Sequence, residues 1–109
     1  MLSMLFELIE FPEFSAQRTR LFTEDSYHAL QLRLLRDPEA GRVIPGTGGI
    51  RKLRVGMQGK GTRGGGRVIY TVRRPTGRIY LLTCYAKTKK DDLTPNERRQ
   101  LRMLANRLE

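Results

Sequence analysis

The sequence predicts a single α+β domain over residues 1–109, with an antiparallel sheet packed against helices in the order strand, helix, helix, three strands, helix. Three observations support this. The chain has 109 residues, of which 39% are hydrophobic, enough for one core. Apolar residues recur every three or four positions in both terminal regions, whereas the spacing approaches alternation from Ile50 onward. Short turns rich in glycine and proline separate the later strands, which favours an antiparallel meander.

The N-terminal part contains one short strand and two helices. Residues 2–9 are apolar enough for a strand, and Pro12 suits the first position of a helix because its missing N–H would have no partner there. Thr23 is a typical N-cap for the second helix. Phe22, just before this cap, is placed to pack against Tyr27 one turn into the helix.

The rest of the chain is predicted to form three strands and a final helix. The second helix ends at Asp37-Pro38, and residues 39–49 are expected to be a loop because they contain several glycines and a proline. The predicted strands are 50–55, 68–72 and 79–85, the last of them apolar enough to be central in the sheet. The final helix begins with a predicted capping box of Thr94 and Glu97, with Pro95 at the first helical position. Its apolar stripe is formed by Leu101, Leu104 and Leu108.

Positive charge is concentrated in one part of the chain. The net charge is +10, and residues 41–90 contain 13 basic and no acidic residues. Residues 1–40 have a net charge of −3, and residues 91–109 have none. This segregation favours a polyanionic partner, because Lys and Arg side chains displace counterions from phosphates. The alternative is a solvated basic surface that serves solubility alone.

Several classes of protein are excluded by composition. No run of about 18 apolar residues is present, so we expect no membrane span. The first ten residues contain two glutamates and no basic residue, unlike a secretory signal. Cys84 is the single cysteine, which excludes an intramolecular disulfide and is consistent with a cytoplasmic protein.

Motifs for cofactors and metals are also poor. The segment Gly59–Gly64 matches G-x-G-x-x-G, but a predicted strand follows it where dinucleotide binding requires a helix N-terminus. His28 is the only histidine and lies among polar neighbours in a predicted helix. The residue counts therefore exclude a histidine-pair ribonuclease, and we expect neither a metal site nor a cofactor.

The remaining candidate site is a group of basic and aromatic side chains. Neighbouring strands of a meander bring their ends together, so residues near those ends can converge on one surface. By alternation, Lys52 and Arg54 share one strand face, as do Tyr85 and Lys87. The full set is Lys52, Arg54, Arg67, Tyr85 and Lys87, with Lys60 and Arg63 in the glycine-rich loop able to reach a phosphate backbone.

Four segments together resemble the RelE/HigB toxin family: Gly46–Arg54, Gly59–Gly65, Arg67–Tyr70 and Tyr80–Lys87. The resemblance covers nearly the whole chain, and members of the family are the toxins of bacterial toxin–antitoxin pairs. It implies a ribonuclease that enters the ribosomal A site and cuts mRNA during translation. The implied partners are the ribosome, mRNA and a cognate antitoxin, which we expect to be a helix-turn-helix DNA-binding protein.

The resemblance also implies roles for the candidate residues in metal-independent cleavage. Arg67 would stabilise the phosphorane-like transition state. Lys52 and Arg54 would bind phosphate and assist proton transfer, Tyr85 would stack on a base or move a proton, and Lys87 would serve the leaving oxygen. Ordinary strand packing is the alternative for Tyr85. Further residues assigned to RNA binding are Arg51, Lys60, Arg63, Arg73, Lys89 and Lys90.

The resemblance does not assign the residues that transfer protons. Some family members use a histidine, a glutamate or a tail tyrosine for proton transfer, and this sequence has Asp91, Asp92 and Leu93 where that tyrosine would stand. The general acid and base are therefore unassigned.

Two alternative functions remain open. One is a ParE-like poison of DNA gyrase with the same fold, and the other is a non-catalytic RNA- or ribosome-binding module.

Overall fold

A computed structural model describes residues 5–56, 65–90 and 92–109 of the chain. It contains helices and strands in the predicted α+β order, with one additional short strand. In chain order the elements are β1 (Glu7–Glu10), α1 (Pro12–Leu21), α2 (Glu24–Arg36), β2 (Arg42–Val43), β3 (Ile50–Val55), β4 (Gly66–Arg73), β5 (Arg78–Ala86) and α3 (Pro95–Ala105). None of the helices in the described ranges has the length and apolar character needed to cross a bilayer.

The strands form one sheet in the order β1-β5-β4-β3-β2. The meander of β3, β4 and β5 is antiparallel, as predicted. However, β1 pairs parallel to β5, with Glu7 opposite Arg78, so the sheet is antiparallel only in its larger part. As predicted, β5 lies inside the sheet, between β1 and β4, although the middle strand of the five is β4. The nearly continuous apolar sequence of β5 is explained by burial on both faces of the sheet.

The prediction of a loop over residues 39–49 was wrong at one place. The strand β2 lies within it and pairs antiparallel with β3, placing Arg42 opposite Lys52. Two residues are too few to show an alternating pattern, and both are exposed, so the sequence contains no signal for this strand. The turn that joins β2 to β3 is held by Thr47, whose buried hydroxyl donates to the Ile44 carbonyl and accepts from the Ile50 N–H.

The predicted helix starts are confirmed. Pro12 occupies the first turn of α1. The Thr23 hydroxyl accepts a hydrogen bond from the Ser26 N–H at the start of α2, and the Phe22 and Tyr27 rings pack with centroids 6.0 Å apart. At α3, Thr94 and Glu97 form both hydrogen bonds of a capping box. The first strand, predicted over residues 2–9, is observed at β1; residues 1–4 lie outside the described ranges.

Helices cover both faces of the sheet. The α1/α2 face carries the larger core, in which residues such as Phe14 and Leu34 pack against Leu53 and Leu81 of the strands. The opposite face, the α3 face, is formed by Ile44, Ile50, Ile69, Tyr80 and Leu82 with Leu93 and Ala105, and it also packs against Leu101, Leu104, Leu108 and Tyr85. The predicted apolar stripe of α3 is therefore confirmed.

A bulge in β5 changes which side chains reach the α3 face. Ile69 pairs with Thr83 but Tyr70 pairs with Leu81, so Leu82 is an extra residue in the ladder. Leu81 lies in the α1/α2 core, and Cys84 lies in the same core although it is three positions later. Because alternation resumes after the bulge, Tyr85 reaches the α3 face.

Candidate functional site

Four of the predicted site residues lie together on the α3 face of the sheet. In the strand register Arg54 is opposite Arg67, and Arg67 is opposite Tyr85, which forms one row across three strands. Directly opposed residues share a face, with Cβ atoms roughly 4.5–5.5 Å apart. Lys52 is two residues from Arg54 on β3 and therefore on the same face. We refer to Lys52, Arg54, Arg67 and Tyr85 as the cationic row.

Arg67 is the central and most buried member of the cationic row. Its side chain lies on the middle strand β4, and the residue is only 6% exposed. One guanidinium nitrogen, Nη1, donates a hydrogen bond of 2.9 Å to the Gly66 carbonyl. A buried guanidinium that is hydrogen-bonded in this way is a fixed positive charge rather than a mobile surface group. Arg54, by contrast, is exposed at the sheet surface.

Tyr85, the aromatic member of the cationic row, packs against the core of the α3 face. The Lys90 ammonium is 5.5 Å from its ring centroid, within the range of a cation–π contact. Lys90 also forms an ion pair with Glu97 in the first turn of α3. The ring borders a groove of about 840 Å³ between α1 and α3, whose floor is the part of β5 from Leu82 to Ala86. The groove therefore opens directly beside the cationic row.

The remaining basic residues at the end of β5 lie in a turn. Lys87 was predicted to share a strand face with Tyr85, but β5 ends at Ala86 and residues 87–89 form the turn that follows. The Lys87 N–H donates to the Gly65 carbonyl at 3.2 Å, so the backbone stays next to β4. Lys87 and Lys89 are exposed. Strand alternation therefore does not determine on which face of the sheet the Lys87 side chain lies. Lys60 and Arg63 lie outside the described residues.

Two other residues assigned to RNA binding have structural partners. Arg51 lies on the α1/α2 side of β3, and its Nη1 donates to the Gly41 carbonyl at 2.7 Å. Arg73 donates from Nη2 to the Ala105 carbonyl at the end of α3, at 2.9 Å, and from Nη1 to the Thr71 hydroxyl, at 2.6 Å. Both guanidinium groups therefore connect parts of the fold. Their role in RNA binding stays a prediction.

Sequence reasoning missed a carboxylate beside the cationic row. Asp92 Oδ1 lies 3.3 Å from Lys52 Nζ and accepts a 2.8 Å hydrogen bond from the Leu93 N–H. Asp92 Oδ2 lies 3.8 Å from Arg98 Nη2. Burial tends to raise the pKa of Asp92, but the Leu93 N–H, Lys52 and Arg98 outweigh it, so the pKa is lowered. Lys52 and Asp92 are 40 residues apart, and no local pattern indicates the pair.

The described residues show no reactive thiol and no metal cluster in this region. Cys84 is 1% exposed in the α1/α2 core, and burial above all raises the pKa of its thiol to about 12. It is a packed side chain rather than a nucleophile. Within residues 5–56, 65–90 and 92–109, no group of three or more His, Cys, Asp or Glu residues is arranged to hold a metal ion. His28 is exposed on α2.

Comparison with known proteins gives the family. A family model described as the RelE toxin of the RelE / RelB toxin-antitoxin system matches residues 39–109, a segment that runs from before β2 to the end of the chain. The chain belongs to the RelE toxin family. All candidate residues of the cationic row fall within the matched segment. As a RelE-family toxin the protein is one half of a toxin–antitoxin system, so the family implies an antitoxin partner. RelE-family toxins are generally endoribonucleases.

A solved structure supports the same fold. The chain is similar to a double arginine-to-alanine mutant of the E. coli toxin RelE in the free state, with a TM-score of 0.58. The match covers 81% of this chain and 90% of the E. coli chain, at 14% sequence identity. At this identity the similarity establishes the RelE fold alone. The predicted resemblance and fold class are therefore confirmed.

Proposed function

We propose that this RelE-family toxin is a ribosome-dependent endoribonuclease that cleaves mRNA in the A site. The observation that supports the proposal is the cationic row, in which three strands bring three positive side chains and one aromatic ring onto a single face. An RNA backbone offers negative charge to the cations, and an unpaired base offers a π-face to the ring. The basic segment from residue 41 to residue 90 surrounds this row in the sequence.

The chemistry requires no group beyond the RNA and the protein. The ribose 2′-hydroxyl attacks the adjacent phosphorus, and the bond from phosphorus to the 5′-oxygen breaks. The products are a 2′,3′-cyclic phosphate and a 5′-hydroxyl; one proton leaves the 2′-oxygen and another is delivered to the 5′-oxygen. Negative charge grows on the non-bridging oxygens in the transition state. The buried charge of Arg67 is suited to stabilise it, with Lys52 and Arg54 binding phosphate.

Few side chains of the proposed site are suited to donate or accept the protons that the reaction transfers. The Tyr85 hydroxyl and the Lys87 ammonium are the proposed donors, with Lys87 serving the leaving oxygen. The Asp92 carboxyl is a poor proton acceptor near neutral pH because its pKa is lowered. A site with few good proton carriers depends on precise placement of the RNA. We therefore expect slow cleavage of free RNA and faster cleavage on the ribosome, where the A site positions the codon.

The antitoxin is proposed to act by covering this surface. An acidic segment would neutralise the basic region, which lacks Asp and Glu over residues 41–90. The groove between α1 and α3 lies next to Tyr85, so a chain bound there would also restrict access to the cationic row. An antitoxin with a helix-turn-helix domain and a cytoplasmic site of action are part of the same proposal.

The experiment is to add purified toxin to a bacterial translation extract and map the 5′ ends of the mRNA. Cuts spaced by codons are expected, and they should be lost with Arg67→Ala. Arg36→Ala is the matched control, because Arg36 is an exposed arginine at the end of α2, on the opposite side of the sheet. It removes the same charge without touching the row, so its cleavage pattern should be retained.

Other results would contradict the proposal. Intact mRNA together with stalled gyrase–DNA complexes would indicate a ParE-like toxin instead. Salt-sensitive binding to RNA or ribosomes, with no cleavage, would indicate a non-catalytic binding module. Equal loss of cleavage in Arg36→Ala and Arg67→Ala would show that total charge, rather than the row, is responsible.

A further inference from the structure

The carboxylate of Asp92 is held by cations from two distant parts of the chain. Lys52 of β3 is 3.3 Å from Oδ1, and Arg98 of α3 is 3.8 Å from Oδ2, so each oxygen has its own positive partner. The Leu93 N–H adds a hydrogen bond to Oδ1. The arrangement is thus an anion-binding site, currently filled by a side chain of the same molecule.

A phosphodiester group has the properties that this site recognises. It carries one negative charge shared between two non-bridging oxygens, as a carboxylate does. Lysine binds such an oxygen as a point charge, and arginine binds it through its N–H groups. Arg98 can reach such a group because its side chain is 43% exposed, although its Nε is buried. Its Nη2 makes a long, 3.5 Å hydrogen bond to the Leu93 carbonyl in addition to the 3.8 Å contact with Asp92.

The position of this site relates it to the cationic row. Lys52 belongs to both, and Arg54 lies two residues further along β3, a separation of roughly 6.8 Å along the strand. When one phosphate of an RNA strand binds at Arg54 and Arg67, the neighbouring phosphate therefore lies close to Lys52. Asp92, which lies between β5 and α3, and Arg98 of α3 meet at the same place.

The Asp92 contact is also weak enough to be replaced. The side chains of Asp92 and Arg98 are 49% and 43% exposed, and Lys52 is 29% exposed. Ion pairs at this degree of exposure contribute little to stability because solvent screens them. A phosphate entering with the rest of an RNA chain can therefore displace the carboxylate.

We propose that Lys52 and Arg98 form a subsite for the RNA phosphate next to the scissile linkage, which Asp92 occupies until RNA displaces it. The proposal rests on the proposed function, since it assumes that RNA lies along the cationic row. It adds Arg98 of α3 to the RNA-binding surface, and it makes Asp92 an internal competitor of the substrate.

The test measures binding of a short, mixed-sequence 2′-O-methyl RNA, which cannot be cleaved because it lacks the attacking hydroxyl. Asp92→Asn keeps the shape of the side chain but removes its charge, and should bind this RNA about three- to tenfold more tightly. Arg98→Gln should weaken binding about fivefold and reduce the slope of log affinity against log salt by about 0.7, the value for one phosphate contact with a single strand. In the double variant the gain from Asp92→Asn should largely disappear.

Two controls separate this subsite from general charge effects. Glu24→Gln also removes one negative charge, at an exposed carboxylate in the first turn of α2, on the other side of the sheet. Arg102→Gln removes one exposed positive charge from the same helix as Arg98. The proposal is overturned if Asp92→Asn binds no more tightly than Glu24→Gln, or if Arg98→Gln matches Arg102→Gln. Circular dichroism on each variant verifies folding.

The outcomes also separate this proposal from the proposed function. If the binding differences appear but translation extracts show no cleavage, the subsite stands and the ribonuclease assignment fails. If codon-spaced cleavage occurs but the variants bind equally, the ribonuclease assignment stands and the subsite is wrong.

Discussion

Arg67 of β4 and Tyr85 of β5 are direct cross-strand partners on the α3 face of the sheet. Ile79 lies in the α1/α2 core. Simple alternation from Ile79 would place Tyr85 on that same α1/α2 face, away from the α3 face. The extra residue Leu82 reverses the alternation between these two positions. A bulge in one strand therefore determines that an aromatic ring stands beside the buried arginine.

This placement predicts the effect of changing Tyr85. Tyr85→Ala should weaken binding of the 2′-O-methyl RNA by roughly tenfold, since stacking of a base on an aromatic side chain contributes about 1–3 kcal/mol. Tyr85→Phe keeps the ring and should retain the affinity, while its cleavage rate in extract reports on the hydroxyl. An unchanged affinity of Tyr85→Ala would show that the ring serves packing alone. Fluorescence anisotropy with a labelled oligonucleotide provides the measurement.

Arg73 is expected to matter mainly for stability. Its Nη2 donates to the Ala105 carbonyl at the end of α3, which also accepts a hydrogen bond from the Leu108 N–H. Arg73→Ala should lower the free energy of unfolding by about 1–2 kcal/mol, in the range for a charged hydrogen-bond donor. Its RNA affinity, measured at a temperature where it is folded, should change little. A loss of affinity without a loss of stability would instead support the predicted RNA-binding role.

Glu10 should make the stability depend on pH. Its carboxylate accepts hydrogen bonds from Ser15, Arg18 and Tyr27, which joins β1, α1 and α2. Burial tends to raise the pKa of Glu10, but these partners outweigh it and lower the pKa below its ordinary value of 4.5. The contribution is therefore complete above about pH 4.5 and is lost as the pH falls through the lower, folded value.

The corresponding substitution is Glu10→Gln. It should destabilise the protein at pH 7 by the order of 1 kcal/mol, because an amide is a weaker acceptor than a carboxylate. The difference from the unmodified protein should shrink below pH 4.5. Urea unfolding across this range gives the values. Glu13→Gln, an exposed position on α1, serves as the control, and a gap that grows with acidity would refute the assignment.

Cys84 should resist labelling in the folded protein. Its thiol is 1% exposed, and burial raises its pKa from 9.0 to about 12. At pH 8 the thiolate population is therefore on the order of a thousandfold smaller than in the unfolded chain. Reaction with a thiol-specific dye should be slow in buffer and fast in denaturant. Rapid stoichiometric labelling of the native protein would show that this part of β5 is accessible.

Local features were predicted well because the interactions behind them involve residues that are close in the chain. The hydroxyl of Thr23 and the N–H of Ser26 are three residues apart, and so are the partners in the capping box of Thr94 and Glu97. Alternation along β3 likewise predicted that Lys52 and Arg54 share one face, and Leu53 lies on the other face, in the α1/α2 core. Charge segregation, which needs no structure at all, predicts a polyanionic partner, and this stays a prediction.

Features that depend on long-range packing were decided only by the tertiary structure. The parallel pairing of β1 with β5, the short strand β2 and the bulge at Leu82 depend on which strands become neighbours. The same is true of Asp92 and Lys52, whose contact joins residues 40 positions apart. Residue types and spacing therefore determined the elements other than β2, the family resemblance and the set of candidate cations. The register of the sheet, which side-chain pattern alone does not specify, determined which of them meet.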